Sequence, residues 1–336
     1  MSSPISLYVL TTSQTPLPTR YPRPHKPVLL LPALIHRSLH AALDQKIPSA
    51  STSSSSIIIP HPDTLVKHDV PVRTEQPRSP DGEDDGDGEI DAEVTVKLHI
   101  VGKGDPKVRA SWVAESLEFL GTHKGLRSVD TLLLGFSGVD YKGKKTVASE
   151  MFGCGAEGLE SGSGSEIVDE ETERGVREVW DLVSKSGLGV FNLGTLYLPL
   201  GLLKKLSEED VAPKINAMDT PDCQSLPKEY SAFARERGIE LWAGGGGEGA
   251  DPLPVSDLHN LLHEFAQSLS QTDKLDRLSN EHPLARLIPL RPDGLKYDDR
   301  AQRGVSVRWV LGYTLYSRAR NVVNDKGYIV AAELLG

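Results

Sequence analysis

The clearest hydrophobic pattern begins at residue 93, where apolar and polar residues alternate as EVTVKLHI. Because successive side chains of a strand point to opposite faces, this pattern predicts a strand with one apolar face. Residues 110–120 then show the apolar spacing of a helix, and residues 129–134 read as a buried strand. A strand, a helix and a strand in this order predict a parallel β-α-β unit.

The same alternation of helix and strand patterns continues through the carboxyl-terminal half of the chain. Helices are predicted at residues 176–183, 200–206, 228–237, 255–269 and 303–313, and strands at residues 188–193, 214–218 and 239–243. Upstream, residues 6–12 predict a strand and residues 34–45 a helix, whereas Ile57 to Ile59 fit either a short strand or a linker.

With the amino-terminal candidates, about eight strands alternate with helices, which predicts a (β/α)8 TIM-type barrel. The alternative is a doubly wound open sheet. That fold calls for a glycine fingerprint after the first strand, and none is present in the sequence. We therefore expect one barrel domain over residues 1–336.

Two polar segments interrupt the pattern. Residues 46–92 join a serine-rich run to the acidic stretch SPDGEDDGDGEID, and residues 141–174 are rich in glycine and acidic side chains. Such compositions bury too little apolar surface to offset chain entropy. We expect a largely disordered linker in the first segment and a flexible insertion in the second.

The composition narrows the function classes. A net charge of -10, with no concentrated basic cluster, argues against non-specific nucleic-acid binding. The two cysteines, Cys154 and Cys223, exclude a disulfide framework and suit a reducing compartment. No apolar run approaches the roughly 20 residues that span a bilayer, and no basic segment precedes an apolar run at the amino terminus. We expect a cytoplasmic protein that makes no membrane contact.

Two features suggest candidate chemistry near predicted strands. Gly244, Gly245, Gly246 and Gly247 follow a predicted strand, where backbone N–H groups could hold a phosphate. No Gly-Lys-Ser/Thr motif ends this run, so a mobile loop is the favoured interpretation. Lys97 shares one side of its strand with Thr95 and His99, and these side chains face either the barrel interior or solvent.

Histidine pairs and one cysteine are the remaining candidates. His36 and His40, like His259 and His263, have the spacing of helical metal ligands, but neither pair carries the Glu of a zincin motif. Surface histidines are therefore the favoured interpretation, and no metal is expected. Cys223 precedes a predicted helix, whose amino terminus can lower a thiol pKa, although an inert cysteine fits equally well.

Several motifs together resemble one family. They are TVKLHIV, SVDTLLLG, LGT with LLKKL, PKIN, LPKEYSAFARERGIEL and the closing DKGYIVAAEL. This set is similar to the regulatory (modifier, light-chain) subunits of glutamate-cysteine ligase, which are relatives of the aldo-keto reductases. The resemblance covers a little under half of the chain. It implies an aldo-keto-reductase-like barrel.

The resemblance also locates the positions at which aldo-keto reductases do their chemistry. Those enzymes use a tyrosine acid, a lysine and a histidine, and they hold nicotinamide with a Ser-Asn pair, a glutamine and a tyrosine. Lys97 matches the lysine. The other matched positions carry Gly135 for the histidine, Leu196 and Tyr197 for the Ser-Asn pair, Ala217 for the glutamine, and Gly244 for the stacking tyrosine. Hydride transfer needs a proton donor and a fixed nicotinamide, so the matched pattern argues against catalysis.

The resemblance therefore implies a non-catalytic regulatory subunit without a cofactor. Such a subunit binds the catalytic subunit of glutamate-cysteine ligase as a heterodimer and tunes its glutamate affinity and glutathione feedback inhibition. Residues 228–237 and 318–335 are candidate surfaces for this partner, and Cys223 is a candidate for an intersubunit disulfide. The alternative is an NADPH-dependent aldo-keto reductase with a rebuilt active site that includes Lys97.

Overall fold

The computed structural model describes residues 5–11, 30–43, 51–52, 56–72, 92–139, 168–218, 228–243, 251–270, 304–317 and 322–335. The strands in these ranges are β1 (Ile5–Leu10), β2 (Ser51–Thr52), β3 (Ser56–Ile59), β4 (Ala92–Ile100), β5 (Thr131–Phe136), β6 (Asn192–Leu196), β7 (Ile215–Met218), β8 (Glu240–Ala243), β9 (Gly304–Ser317) and β10 (Val322–Leu335). The helices are α1 (Leu30–Leu43), α2 (Pro106–Lys124), α3 (Glu170–Ser184), α4 (Leu200–Leu206), α5 (Lys228–Glu236) and α6 (Val255–Ser270).

The described strands form one mixed sheet in the order β2-β3-β1-β10-β9-β4-β5-β6-β7-β8. The chain is therefore an α/β protein, as predicted. Closure into a barrel is not seen among the described strands, because β2 and β8 are the edges of this sheet. Antiparallel pairs join β9 to both β4 and β10, and β10 to β1.

Strands β4 to β8 are parallel and adjacent in chain order. Val94, Val96 and Leu98 of β4 are fully buried in a core cluster that also contains apolar side chains of α2, α3, α4 and α5. All four of these helices thus cover the same face of the sheet. Winding on a single face is the arrangement of a β/α barrel, whereas a doubly wound sheet places helices on both faces.

The other half of the sheet contains the long hairpin of β9 and β10, which lies between β1 and β4. Helices α1 and α6 cover its opposite face. Their apolar side chains, including Ile35 and Leu262, form a second cluster with Leu7, Val307 and Val330 of the strands. Strands β1, β9 and β10 therefore contribute side chains to both clusters, whereas the helices that follow β4 to β7 all lie on one face.

The helix predicted at residues 303–313 is wrong, because these residues belong to β9. Trp309, Leu311 and Tyr313 lie in the first cluster, whereas Val307 and Val310 lie in the second. A strand that is buried on both faces reads as a continuous apolar run, so its period of two is hidden. A register shift beside Arg308 breaks the alternation further.

Ordered elements extend into both polar segments. β3 and residues 60–72 have a described structure although they lie within the predicted linker. Ile57 and Ile59 of β3 are fully buried in the second cluster. Helix α3 begins at Glu170, within the predicted insertion, and Asp169 caps it by accepting a hydrogen bond from the Thr172 N–H at 2.8 Å. The rest of both segments lies outside the described residues. None of the described helices has the length and hydropathy needed to cross a membrane.

Candidate functional site

The candidate site lies at the carboxyl ends of the parallel strands, on the face that α2 to α5 leave uncovered. Ligands of barrel and open α/β proteins bind at this end of the strands, because the loops that follow the strands converge there. Lys97 and His99 of β4 point to this face, since they alternate with the valines and leucines that face the helices. Gly135, Tyr197 and Ala217 come from the next strands.

His99 is the buried polar centre of this site, with only 1% of its surface exposed. Its ring stacks on Tyr197, with ring centroids 6.1 Å apart and an interplanar angle of 30°. A Cβ added at Gly135 would lie 2.9 Å from His99 Nδ1, which is closer than a carbon atom can approach. The imidazole of His99 therefore occupies the space that a side chain at position 135 would need.

Position 135 is the one at which the resemblance predicts the absence of a catalytic histidine. The structure supplies an imidazole there from the neighbouring strand, because His99 and Gly135 are register partners of β4 and β5. The alternation in TVKLHI placed His99 beside Lys97 on one face. Only the strand register could show that its ring covers Gly135.

Tyr197 has an unusual backbone, with a φ of 57° in the left-handed region. Residues other than glycine and asparagine rarely adopt this backbone conformation. Those that do are often found at functional sites. The Tyr197 side chain is 1% exposed, and its N–H donates to the Ala217 carbonyl at 2.8 Å. The turn that follows β6 is therefore held against β7.

A buried hydrogen-bond network fixes this turn from the helix side of the sheet. Asn216 Oδ1 accepts hydrogen bonds from Thr195 Oγ1 at 2.9 Å and from the Leu198 N–H at 3.4 Å. Asn216 Nδ2 donates to Tyr230 Oη, and Tyr230 Oη donates to the Leu198 carbonyl at 2.7 Å. Because Asn216 is fully buried, these bonds specify a single conformation of residues 195–198. The sequence analysis did not identify Asn216 or Tyr230.

The carboxyl group of Asp251 interacts electrostatically with His99. Although Asp251 as a whole is exposed, partial desolvation of its carboxyl raises the pKa of Asp251, and the Leu253 N–H and His99 act in the opposite direction. A carboxyl group with a raised pKa beside a buried histidine is typical of functional sites. Asp251 has no neighbouring motif in the sequence, so the pattern alone could not select it.

Lys97 is half-buried on the same face, two residues before His99. Its register partners are Leu133 of β5 and Gly312 of β9. The sequence left open whether Lys97 points inward or toward solvent. In the structure it shares the uncovered face with His99, and it is neither fully enclosed nor fully exposed.

The predicted nicotinamide-binding positions are apolar in the structure as well as in the sequence. Leu196, Tyr197 and Ala217 belong to a buried cluster with Leu133 and Ile215, against which Trp242 packs. Gly244 to Gly247, the weak phosphate-loop candidate, lie outside the described residues, as do Cys154 and Cys223.

The histidine pairs have packing partners. His36 and His40 of α1 each place the ring edge-on to Phe265 of α6, with centroids 5.0 Å apart. His259 is buried in α6, so the prediction of a surface histidine is wrong for this residue. Across the described ranges, no three His, Cys, Asp or Glu side chains are grouped so that they could hold a metal ion.

The fold and the site together define an α/β protein with an apolar, histidine-containing carboxyl edge. No protein-family model and no curated protein matches the chain.

Proposed function

We propose that this protein is a non-catalytic regulatory subunit of glutamate-cysteine ligase. It binds the catalytic subunit as a heterodimer and tunes glutamate affinity and glutathione feedback inhibition. The observation that supports this proposal is the apolar cluster around Leu196 and Ala217, where a reductase needs polar groups for nicotinamide. A fold of this type can serve as a binding scaffold without carrying the chemistry of its relatives.

The proposal includes a barrel of the aldo-keto reductase type. Five consecutive parallel strands with all connecting helices on one face support it, because this is the repeating unit of such barrels. The barrel requires β8 to pair on its outer side with a segment beyond the described residues, so rapid hydrogen exchange of its outward-facing amides would contradict it.

Of the two predicted partner surfaces, the helical one is favoured. β10 contains most of residues 318–335 and lies between β1 and β9, so its residues from Ile329 to Ala332 are buried. Helix α5 instead presents an amphipathic outer face. There Phe233 is half-buried, with Lys204 Nζ 5.7 Å and Arg237 Cζ 5.8 Å from its ring centroid. Aromatic and arginine side chains are enriched at interfaces.

The test is co-purification with the catalytic subunit, followed by ligase kinetics with and without this protein. We expect a stable complex, a lower KM for glutamate and weaker inhibition by glutathione, because a regulator must bind the active state of its partner more tightly. Arg235→Glu on the exposed face of α5 should weaken the complex, whereas Lys67→Glu, a matched charge reversal outside α5, should not. Failure to form a complex, or a complex with unchanged kinetics, contradicts the proposal.

Cys223 remains a candidate for an intersubunit disulfide. Under oxidation, the complex should show a linked species on a non-reducing gel that Cys223→Ser removes and Cys154→Ser retains. An unchanged gel pattern in Cys223→Ser contradicts this pairing.

One observation favours a second candidate, an NADPH-dependent reductase with a rebuilt site. The side-chain types of the aldo-keto reductase proton donors meet at the carboxyl edge, where His99 stacks on Tyr197 and interacts electrostatically with Asp251. Lys97 lies on the same face of the same strand. These groups could supply a proton even though the predicted nicotinamide contacts are apolar.

Titration with NADPH, read by fluorescence quenching, and a panel of aldehydes separate the two candidates. Saturable binding with turnover that His99→Gln and Lys97→Met abolish favours the reductase. Binding without turnover indicates a subunit that senses redox state, and the absence of saturable binding contradicts any nicotinamide function.

A further inference from the structure

A cavity of about 250 Å³, the α3–β6 pocket, lies beside the first residues of β6 and β7. Its walls are the last turn of α3, the loop that joins α3 to β6, and the residues that precede β7. The carboxyl-edge site lies at the other end of these parallel strands. The pocket is therefore separate from the site described above.

Most of the pocket lining is apolar, and the core covers it only in part. Leu188, Val190 and Leu193 pack against the first core cluster and are still only half-buried. Val211, on the opposite wall, is 40% exposed. Contiguous apolar surface that lines a concave site is typical of a ligand pocket.

Hydrogen bonds hold both walls of the pocket in place. On one side, the buried Trp180 donates from Nε1 to the Val211 carbonyl at 2.7 Å. On the other side, Lys214 Nζ donates to the Phe191 carbonyl at 2.8 Å, and the Lys214 N–H donates to the Leu193 carbonyl at 3.0 Å. The pocket is therefore largely formed before a ligand arrives, which reduces the free-energy cost of binding.

Two glycines shape the loop between α3 and β6. Gly187 and Gly189 have φ angles of 66° and 69°, in the left-handed region that favours glycine. A Cβ added at either position would meet no atom within 4 Å. The backbone conformation of the loop, and not crowding, therefore accounts for glycine at both positions.

Lys214 is the charged residue of the pocket lining. Its ammonium donates to two neutral oxygens, the Phe191 carbonyl and, at 3.4 Å, Asn192 Oδ1. No carboxylate of the described residues forms an ion pair with it, whereas the nearby Lys185 is paired with Asp181 and Asp210. Because an ammonium has three donors, Lys214 retains one for a ligand. The pocket thus combines an apolar cavity with one uncompensated positive charge.

We infer that the α3–β6 pocket binds a small amphipathic carboxylate. The apolar body of this ligand fills the cavity, and its carboxylate accepts a charge-assisted hydrogen bond from Lys214 Nζ. The cavity has the volume of roughly eight water molecules, which suits a body of a few carbon atoms. The inference does not depend on the proposed ligase partner.

Titration of the full chain with hexanoate at constant ionic strength, followed by amide chemical shifts in NMR spectra, tests this site. We expect saturable shifts at residues 187–193 and 211–214. Two matched probes separate the two parts of the ligand, because hexanamide lacks the charge and acetate lacks most of the apolar body. Each should bind at least about tenfold more weakly than hexanoate, since each loses one of the two interactions.

Two variants test the two parts of the pocket. Lys214→Gln removes the charge and should weaken hexanoate binding about tenfold, with hexanamide binding unchanged. Lys103→Gln, at an exposed lysine between β4 and α2, is the matched control and should bind hexanoate as the wild type does. Ala212→Phe retains every charge and fills the pocket from an exposed position, so it tests the site even if Lys214→Gln does not fold.

Three results would each refute the site. The first is the absence of saturable shifts at these residues with hexanoate. The second is binding of hexanamide or acetate as tight as that of hexanoate. The third is wild-type affinity for hexanoate in Ala212→Phe.

Discussion

The two ends of the parallel strands differ in the arrangement of their buried polar side chains. At the amino end, Asp325 Oδ2 lies 2.9 Å from Lys124 Nζ, 2.8 Å from His68 Nε2 and 3.1 Å from Tyr313 Oη. At the carboxyl end, His99 stacks on a tyrosine whose backbone is in the left-handed region. The amino end therefore contains a compact cluster of paired polar side chains, whereas the carboxyl end contains a strained turn.

The difference indicates different roles for the two ends. The Asp325 cluster links β10, β9, α2 and the segment after β3, and Lys124 is fully buried within it. Charges at the amino end of barrel strands generally serve stability, whereas carboxyl ends serve binding and chemistry. Strain at Tyr197 and the raised pKa of Asp251 lie at the carboxyl end, where function is expected.

The largest expected effect comes from breaking the amino-end cluster. Asp325→Ala leaves the ammonium of Lys124 buried without its counterion, so we expect a loss of about 3–5 kcal/mol in the free energy of unfolding, measured with urea. Asp181→Ala, which removes the exposed partner of Lys185, should cost less than about 1 kcal/mol. Equal losses in the two variants would show that the Asp325 cluster is not a stability element.

The next effect concerns the network that holds the turn at Tyr197. Asn216→Ala removes partners from Thr195 Oγ1, the Leu198 N–H and Tyr230 Oη. We expect a loss of about 2 kcal/mol in unfolding free energy and a changed near-ultraviolet circular dichroism spectrum. Asn192→Ala, whose side chain accepts a bond from Lys214 at 3.4 Å, is the control and should change neither quantity appreciably.

A smaller effect tests whether His99 needs the space above Gly135. Gly135→Ala should cost about 1–3 kcal/mol and shift the His99 imidazole signals in NMR spectra, because the new methyl overlaps the ring. Gly201→Ala should instead stabilise α4 by up to about 1 kcal/mol, since no atom lies within 4 Å of its added Cβ. Unchanged His99 signals in Gly135→Ala would remove the basis for the rebuilt reductase site.

The smallest effect is the pH dependence contributed by Asp251. Its folded-state pKa is raised above the ordinary value of 3.8, so its contribution to stability is present below that value and is lost as pH rises through the folded pKa. Asp251→Asn should therefore gain relative stability with rising pH across this acidic range, by less than about 1 kcal/mol. Urea unfolding from pH 3.5 to pH 7 measures the difference. Asp69→Asn, at another exposed residue, is the control, and an identical pH profile for both variants contradicts desolvation of the Asp251 carboxyl.

Much of the parallel half could be predicted because its signals are local. The alternation in EVTVKLHI gave β4 and placed Lys97 and His99 on one face, and helical spacing located α2 and α5. β9 was mispredicted as a helix because both of its faces are buried. The candidate site was only partly predictable, since Asn216 and Asp251 acquire their roles through contacts that no short motif records.

The sequence by itself determined the α/β class, the order of the parallel units and the apolar character of the predicted nicotinamide positions. These properties follow from the spacing and the chemistry of neighbouring residues. Tertiary structure alone decided that the β9–β10 hairpin lies between β1 and β4, that His99 covers Gly135, and that Lys124 meets Asp325. Each of these depends on the register between strands or on packing between distant segments, which a linear pattern of side chains does not specify.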